Sequence, residues 1–292
     1  MKVIRSLIAA TTALTVSAAN ATDLEVMHWW TSGGEAAAVN EFAKAFNATG
    51  NNWVDAAIVG GEQARSVMVS RILGGDPMGA FQFNHGRQAE ELIEAGVLRD
   101  ITDIAEAEGW TSMVNPPSLL AACTVDGRVY CAPVNIHSWQ WLWLSHKAYS
   151  DAGVAVPTNW DEFVAAGPAL EKAGILPMAM GQQGWQQSGA FNVFMASLLP
   201  SEVFMSVYGD KDTAVAGGAD VAKVFKAASD ARAMAANSTV QNWNDATNLV
   251  ITGKAGGQIM GDWAQGEFSV AGSVAGKDYS CLPGLGSNPR LS

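Results

Sequence analysis

The sequence predicts an α/β protein with a mainly parallel sheet. Two observations carry this. Between residues 24 and 96, short apolar runs alternate with amphipathic helical stretches, the pattern of βαβ units. The chain has 292 residues, 49% hydrophobic with 11 tryptophans, enough for about two domains at ~100–200 residues each.

The elements follow in order. Residues 24–30 read as a first strand. A helix follows from Glu35, with Val39, Phe42 and Phe46 on one face. Residues 53–59 read as a second strand and 63–73 as a helix, stopped by Gly74-Gly75-Asp76-Pro77. Residues 80–83 form a short strand and 88–95 a helix ended by Gly96. A hairpin over 125–130, with Asp126-Gly127 at its turn, interrupts the rhythm. Trp139, Trp141 and Trp143 alternate as on a strand, so one face of it belongs to the core. Thr158-Asn159-Trp160 opens a further helix with Trp160 in the core. There is no internal repeat or low-complexity linker, and composition does not change near residue 134. The two lobes are therefore expected to be tied closely together.

Residues 1–21 read as a secretory signal peptide. Lys2 and Arg5 form the basic region, residues 7–16 the apolar run, and Ala19-Asn20-Ala21 the cleavage site. The run is shorter than the ~20 residues of a membrane span, and no cysteine follows it for a lipid anchor. Export as a soluble protein is expected. The net charge is −11, and loss of Lys2 and Arg5 makes it more negative. That argues against nucleic acid as a partner, since phosphate binding needs clustered Lys and Arg.

There are 3 cysteines. Cys123 and Cys131 flank the hairpin, which would bring them into disulfide range unless the register shifts by one residue. Cys281 is left over. No spacing suggests a metal site, and the four histidines, His28, His85, His137 and His146, show no ligand pattern. Phosphate-loop, nucleophile-elbow, zinc-protease and dinucleotide fingerprints are absent. No cofactor is expected.

The stretch His28-Trp29-Trp30-Thr31-Ser32-Gly33-Gly34-Glu35 admits two readings. Ser32 to Glu35 is S-x-x-E, a capping box, and one tryptophan at a strand end should be core. Alternatively, the C-terminal end of a strand in an open α/β sheet borders the ligand crevice. An indole and a carboxylate there suit a sugar, which needs an apolar ring for its C–H faces and planar polar groups for its hydroxyls.

The same stretch resembles the opening of periplasmic glucose-binding proteins of ABC transporters, within the extracellular solute-binding family 1. The resemblance continues through Gly74-Gly75-Asp76-Pro77, Phe81-Gln82-Phe83-Asn84 and Val134-Asn135-Ile136-His137. It extends to Thr158-Asn159-Trp160-Asp161-Glu162-Phe163 and Met260-Gly261-Asp262-Trp263-Ala264. It implies a two-lobe periplasmic binding protein fold, with a first lobe over 22–134, a second over 135–292 and a crossing near 131–137. The ligand residues it implies are Trp29 or Trp30, Glu35, Gln82, Asn84, His137, Trp243 and Trp263, with Trp185 a weaker candidate. It implies a monosaccharide ligand such as glucose, no catalysis, a monomer, and docking on ABC transporter permease subunits. Relatives continue beyond this C-terminus, so the second lobe is expected to be incomplete and to lack several sugar contacts, and the chain to bind sugar weakly or not at all. A secreted carbohydrate-active enzyme and a sugar sensor for a chemoreceptor are the competing readings.

Overall fold

The structure is a computed structural model that describes residues 21–84 and 86–287. Residues 1–20 of the predicted signal peptide lie outside the described residues, as does His85. Strand β1 (Asp23–His28) lies between β2 (Asn52–Ala57) and β3 (Ala80–Phe81), all parallel. Asp23 pairs with Asn52 at one end of β1 and His28 with Ala57 at the other. Val26 and Met27 pair with Ala80 and Phe81. Helix α1 (Gly33–Asn47) joins β1 to β2, and α2 (Gly61–Leu73) joins β2 to β3. These are βαβ units, as the alternation predicts.

Ala64, Met68 and Ile72 recur every four residues along α2, so they share one face. That face packs with Met27, Met78 and Leu92. Leu92 lies on α3 (Arg87–Glu94). Arg71 of α2 holds the Glu25 carboxylate of β1 with two hydrogen bonds, 2.6 and 2.9 Å.

Three short helices then appear that periodicity does not announce: α4 (Thr102–Ala107), α5 (Trp110–Met113) and α6 (Pro117–Ala122). They lead into the hairpin of β4 (Thr124–Val125) and β5 (Arg128–Val129). Asp126 and Gly127 both have positive φ, 49° and 76°, as a type I′ turn requires. Thr124 pairs with Val129 and Val125 with Arg128, so Cys123 faces Tyr130, whose N–H donates to its carbonyl oxygen at 3.0 Å. Cys131, one residue further on, is disulfide-bonded to Cys123 with Cα atoms 5.2 Å apart. Cys281 is free.

The second sheet is ordered β7-β8-β6-β9. It contains β6 (Trp141–Ser145), β7 (Leu176–Met178), β8 (Ala255–Met260) and β9 (Tyr279–Pro283). Here the expectation of mainly parallel pairing needs correction. β7 and β8 are parallel, but β6 runs antiparallel to both β8 and β9. The apolar run of β6 reflects burial on both faces, which parallel strands usually show but which does not set direction. Leu142 and Leu144 enter a core with Trp160, Phe163 and Phe194. Trp143 points the other way and joins Phe268, Tyr279 and Trp243.

Helices α7 (His146–Ala152) and α8 (Trp160–Lys172) follow β6. Between β7 and β8 run α9 (Gly184–Leu198), α10 (Ser201–Met205), α11 (Thr213–Ala216), α12 (Ala219–Met234) and α13 (Trp243–Ile251). They supply the long crossover that a parallel pair needs. α14 (Ala264–Val270) lies between β8 and β9.

Candidate functional site

After β1 the chain turns sharply, and side chains hold its amides one by one. The Trp29 N–H donates to Gln82 Oε1, 3.0 Å. The Trp30 N–H donates to His28 Nδ1, 3.2 Å. The Thr31 and Ser32 N–H groups both donate to Glu35 Oε2, at 3.1 and 3.2 Å. The Gly34 N–H donates to Glu267 Oε1, 2.8 Å, from α14. Side-chain acceptors therefore meet the amides of Trp29, Trp30, Thr31, Ser32 and Gly34, which neither the sheet nor the helix can satisfy.

Glu35 is thus the carboxylate of a capping box, as S-x-x-E suggests, and is committed to the backbone of the turn. Burial pushes its carboxyl above the ordinary range. The nearby Glu267 adds to this, while the hydrogen bonds from Ser32 and Thr31 pull the other way.

The two indoles part company. Trp30 stacks on Phe42 of α1, centroids 6.5 Å apart. Trp29 lies over the first turn of α2, where a Cβ added to Gly61 would sit 3.5 Å from the indole. Gln82 follows β3, and its backbone N–H donates to Met27 O, 2.8 Å. Because its Oε1 receives the Trp29 N–H, its Nε2 donors are left for another partner. Asn84 is exposed.

The other half presents aromatic rings. Trp263 meets His137 at 5.0 Å, Trp139 at 5.3 Å and Trp243 at 6.4 Å, edge to face. Trp139 also meets Trp185 at 5.2 Å. Such edge-to-face pairs contribute about 0.5–1.5 kcal/mol each beyond area burial. Asp262 fixes the segment before β6. Its Oδ1 bonds His137 Nδ1 at 2.8 Å, its Oδ2 accepts from the Ser138 N–H at 3.1 Å, and its own N–H donates to Ser138 O at 2.9 Å. His137 Nε2 faces Asn135 Nδ2 at 2.6 Å. Trp243 is only 8% exposed and packs behind Trp263.

The halves approach each other beside both groups. Gln183 Nε2 lies 3.8 Å from the place a Cβ would take on Gly60, next to Gly61 and Trp29. The amide of Gln183 is oriented: Oε1 accepts from Trp185 Nε1 at 2.8 Å, and Nε2 donates to Asn242 Oδ1 at 3.3 Å. The structure therefore brings Gln183, held by Trp185, up to Gly60, beside the turn of α2 that Trp29 covers, with Trp139 packed on Trp185 and Trp263.

Sequence reasoning missed Gln183 and Asp262 and assigned Trp139 only to a core face. The landmark Gly261-Asp262-Trp263 carried a signal for Asp262. Nothing local marks Gln183. Among the described residues, no group of His, Cys, Asp and Glu is placed to hold a metal ion.

Two α/β halves that meet across indoles and oriented amides define a binding fold of the two-lobe kind. The chain belongs to the bacterial extracellular solute-binding protein family, whose profile matches residues 30–284. It is 36% identical over 263 residues to a probable sugar-binding periplasmic protein of Brucella melitensis, covering 89% of this chain and 62% of that protein. It is also 36% identical over 273 residues to a probable sugar-binding periplasmic protein of Rhizobium meliloti, covering 92% and 65%. The chain thus spans a little under two thirds of the length of these relatives. Among solved structures, the bacterial solute receptor AcbH, described as preferring β-D-galactopyranose, matches with a TM-score of 0.71 at 18% identity. That match covers 92% of this chain and 68% of the other and shows the shared fold.

Proposed function

We propose that this protein is the sugar-binding component of an ABC importer and takes a monosaccharide, with glucose the first candidate, between its two lobes. The observation that carries the reading is the approach of Gln183, oriented by Trp185, to Gly60, next to Gly61 under the Trp29 indole. An indole covers the C–H face of a pyranose, and an oriented amide pairs its hydroxyls. Trp263 and His137 extend the second wall, while Asn84 lies beyond Gln82 at the rim. Trp30 and Glu35 act through the turn that carries Trp29.

The names of the relatives support a sugar and a periplasmic location; cleavage of a signal peptide rests on the basic and apolar runs of residues 1–21. The first lobe is residues 22–134, and the crossing near 131–137 runs up to the segment that Asp262 clamps. A sugar that touches both walls only when they meet shifts the open–closed equilibrium toward closure. The closed form then docks on permease subunits as a monomer. Among the described residues, the two carboxylates that come together at the turn, Glu35 and Glu267, each accept from its backbone amides, so binding is preferred to hydrolysis.

Saturation-transfer NMR and calorimetry with glucose, galactose, xylose and mannose test the reading. Saturable 1:1 binding lost in Trp29→Ala is expected. A folded chain that binds none of the four would overturn it, as would turnover of an oligosaccharide.

A further inference from the structure

His28 is the last residue of β1 and is 5% exposed. Its ring bridges two elements. Nε2 faces Asp55 Oδ1 of β2 at 2.7 Å, and Nδ1 accepts the Trp30 N–H at 3.2 Å. An amide can only donate, so Nδ1 must be the bare nitrogen and Nε2 must carry the proton that Asp55 accepts. A core histidine needs partners for both nitrogens. It does not need one of them to be the amide two residues along its own chain, in a turn where no sheet or helix partner exists. Trp29 is bracketed as a result: Gln82 holds the N–H before its Cα, and His28 holds the N–H after it. Pinning both peptides restrains φ and ψ of Trp29, and with them the direction of the Cα–Cβ bond from which its indole reaches over Gly61.

We infer that His28 is a positioning residue for the first-lobe wall: held in one tautomer by Asp55, it locks the turn that aims Trp29. The inference rests on the proposed sugar site for its consequence, but not for its geometry.

Two substitutions separate the two bonds. In His28→Asn the Oδ1 atom takes the place of Nδ1 and accepts the N–H two residues on, as in an Asx turn, while the bond to Asp55 is lost. In His28→Gln the longer amide reaches Asp55 and leaves Trp30 without its acceptor. Amide exchange at Trp30, read by NMR without ligand, is expected to match wild type in His28→Asn. In His28→Gln it should be about tenfold faster, as loss of one net hydrogen bond implies. Monosaccharide affinity should follow the same order: within about twofold in the Asn variant and about tenfold weaker in the Gln variant.

A purely structural role predicts that affinity tracks thermal stability in both variants; that result, or full affinity in His28→Gln, overturns the inference. If the wild-type chain binds no sugar, the sugar reading fails and the exchange data still decide. Equal protection of Trp30 in all three proteins shows that His28 does not hold the turn.

Discussion

The backbone N–H of Gly34 donates to Oε1 of Glu267 across 233 residues of sequence, at 2.8 Å. This contact joins the first turn of α1 to α14. A carboxylate there also meets the positive end of the helix. The backbones approach so closely that a Cβ on Gly34 would lie 2.8 Å from the carbonyl carbon of Gly266. In an isolated helix, Gly34→Ala would be stabilising by about 1 kcal/mol. Here it is expected to destabilise and to push α1 away from α14. Glu267→Gln keeps an acceptor and should have a smaller effect than Glu267→Ala, which costs about 1–2 kcal/mol. Small-angle scattering checks the direction: an unchanged radius of gyration and a higher melting temperature in Gly34→Ala would count against the contact.

Glu35 supplies a pH signature. Its folded-state pKa is raised, chiefly by burial and further by Glu267. The folded protein therefore holds the proton over a range in which the unfolded chain has released it. Stability from this group is fully present below the ordinary carboxylate pKa and declines as pH rises through the raised value. Glu35→Gln keeps an acceptor for the Thr31 and Ser32 amides and has no charge to desolvate. It should remove this decline and leave sugar affinity unchanged. Glu35→Ala removes the acceptor and should cost about 1 kcal/mol. Denaturant titrations at several pH values read both effects.

Much of the first lobe is legible because its determinants are local. The alternation of runs announces β1, α1 and β2. Asp126-Gly127 announces a turn whose two positive φ angles then bring Cys123 and Cys131 together. The direction of β6 is not legible, since residues covered on both faces look alike whether their neighbours run parallel or antiparallel. The site is harder still. His28 finds Asp55 across 27 residues, and His137 finds Asp262 across 125. Single histidines without ligand spacing gave no hint of either partner. The motif S-x-x-E did announce the cap made by Glu35, because that bond closes within four residues.

Gln82 carries a specificity prediction. One lone pair of its Oε1 is held by the Trp29 N–H, so what it offers a ligand is chiefly its two Nε2 donors. Gln82→Glu keeps an acceptor for Trp29 but offers only lone pairs outward. A sugar hydroxyl can rotate to donate to that carboxylate, so hexoses should still bind, with a changed order of preference. Gln82→Met removes both functions and should weaken every sugar by about tenfold or more. Titrating the same four sugars against both variants tests this. Uniform loss in Gln82→Glu would mean that Gln82 acts only by holding Trp29.

Gly189 offers a test of the aromatic wall that touches no aromatic residue. The Trp139 indole packs over its Cα and leaves no room for a Cβ. Gly189 lies within α9, where alanine would favour the helix by about 1 kcal/mol. A backbone account therefore predicts stabilisation by Gly189→Ala. Packing predicts the reverse: Trp139 must swing away, breaking its contacts with Trp185 and Trp263. Overpacking of this kind costs about 1–3 kcal/mol. Near-ultraviolet circular dichroism should lose part of the tryptophan signal, while the far-ultraviolet spectrum stays unchanged. Sugar affinity should fall with the near-ultraviolet signal, because Trp185 and Trp263 lose the ring between them. A Gly189→Ala protein with an intact near-ultraviolet spectrum and higher stability would show that Trp139 does not depend on this glycine.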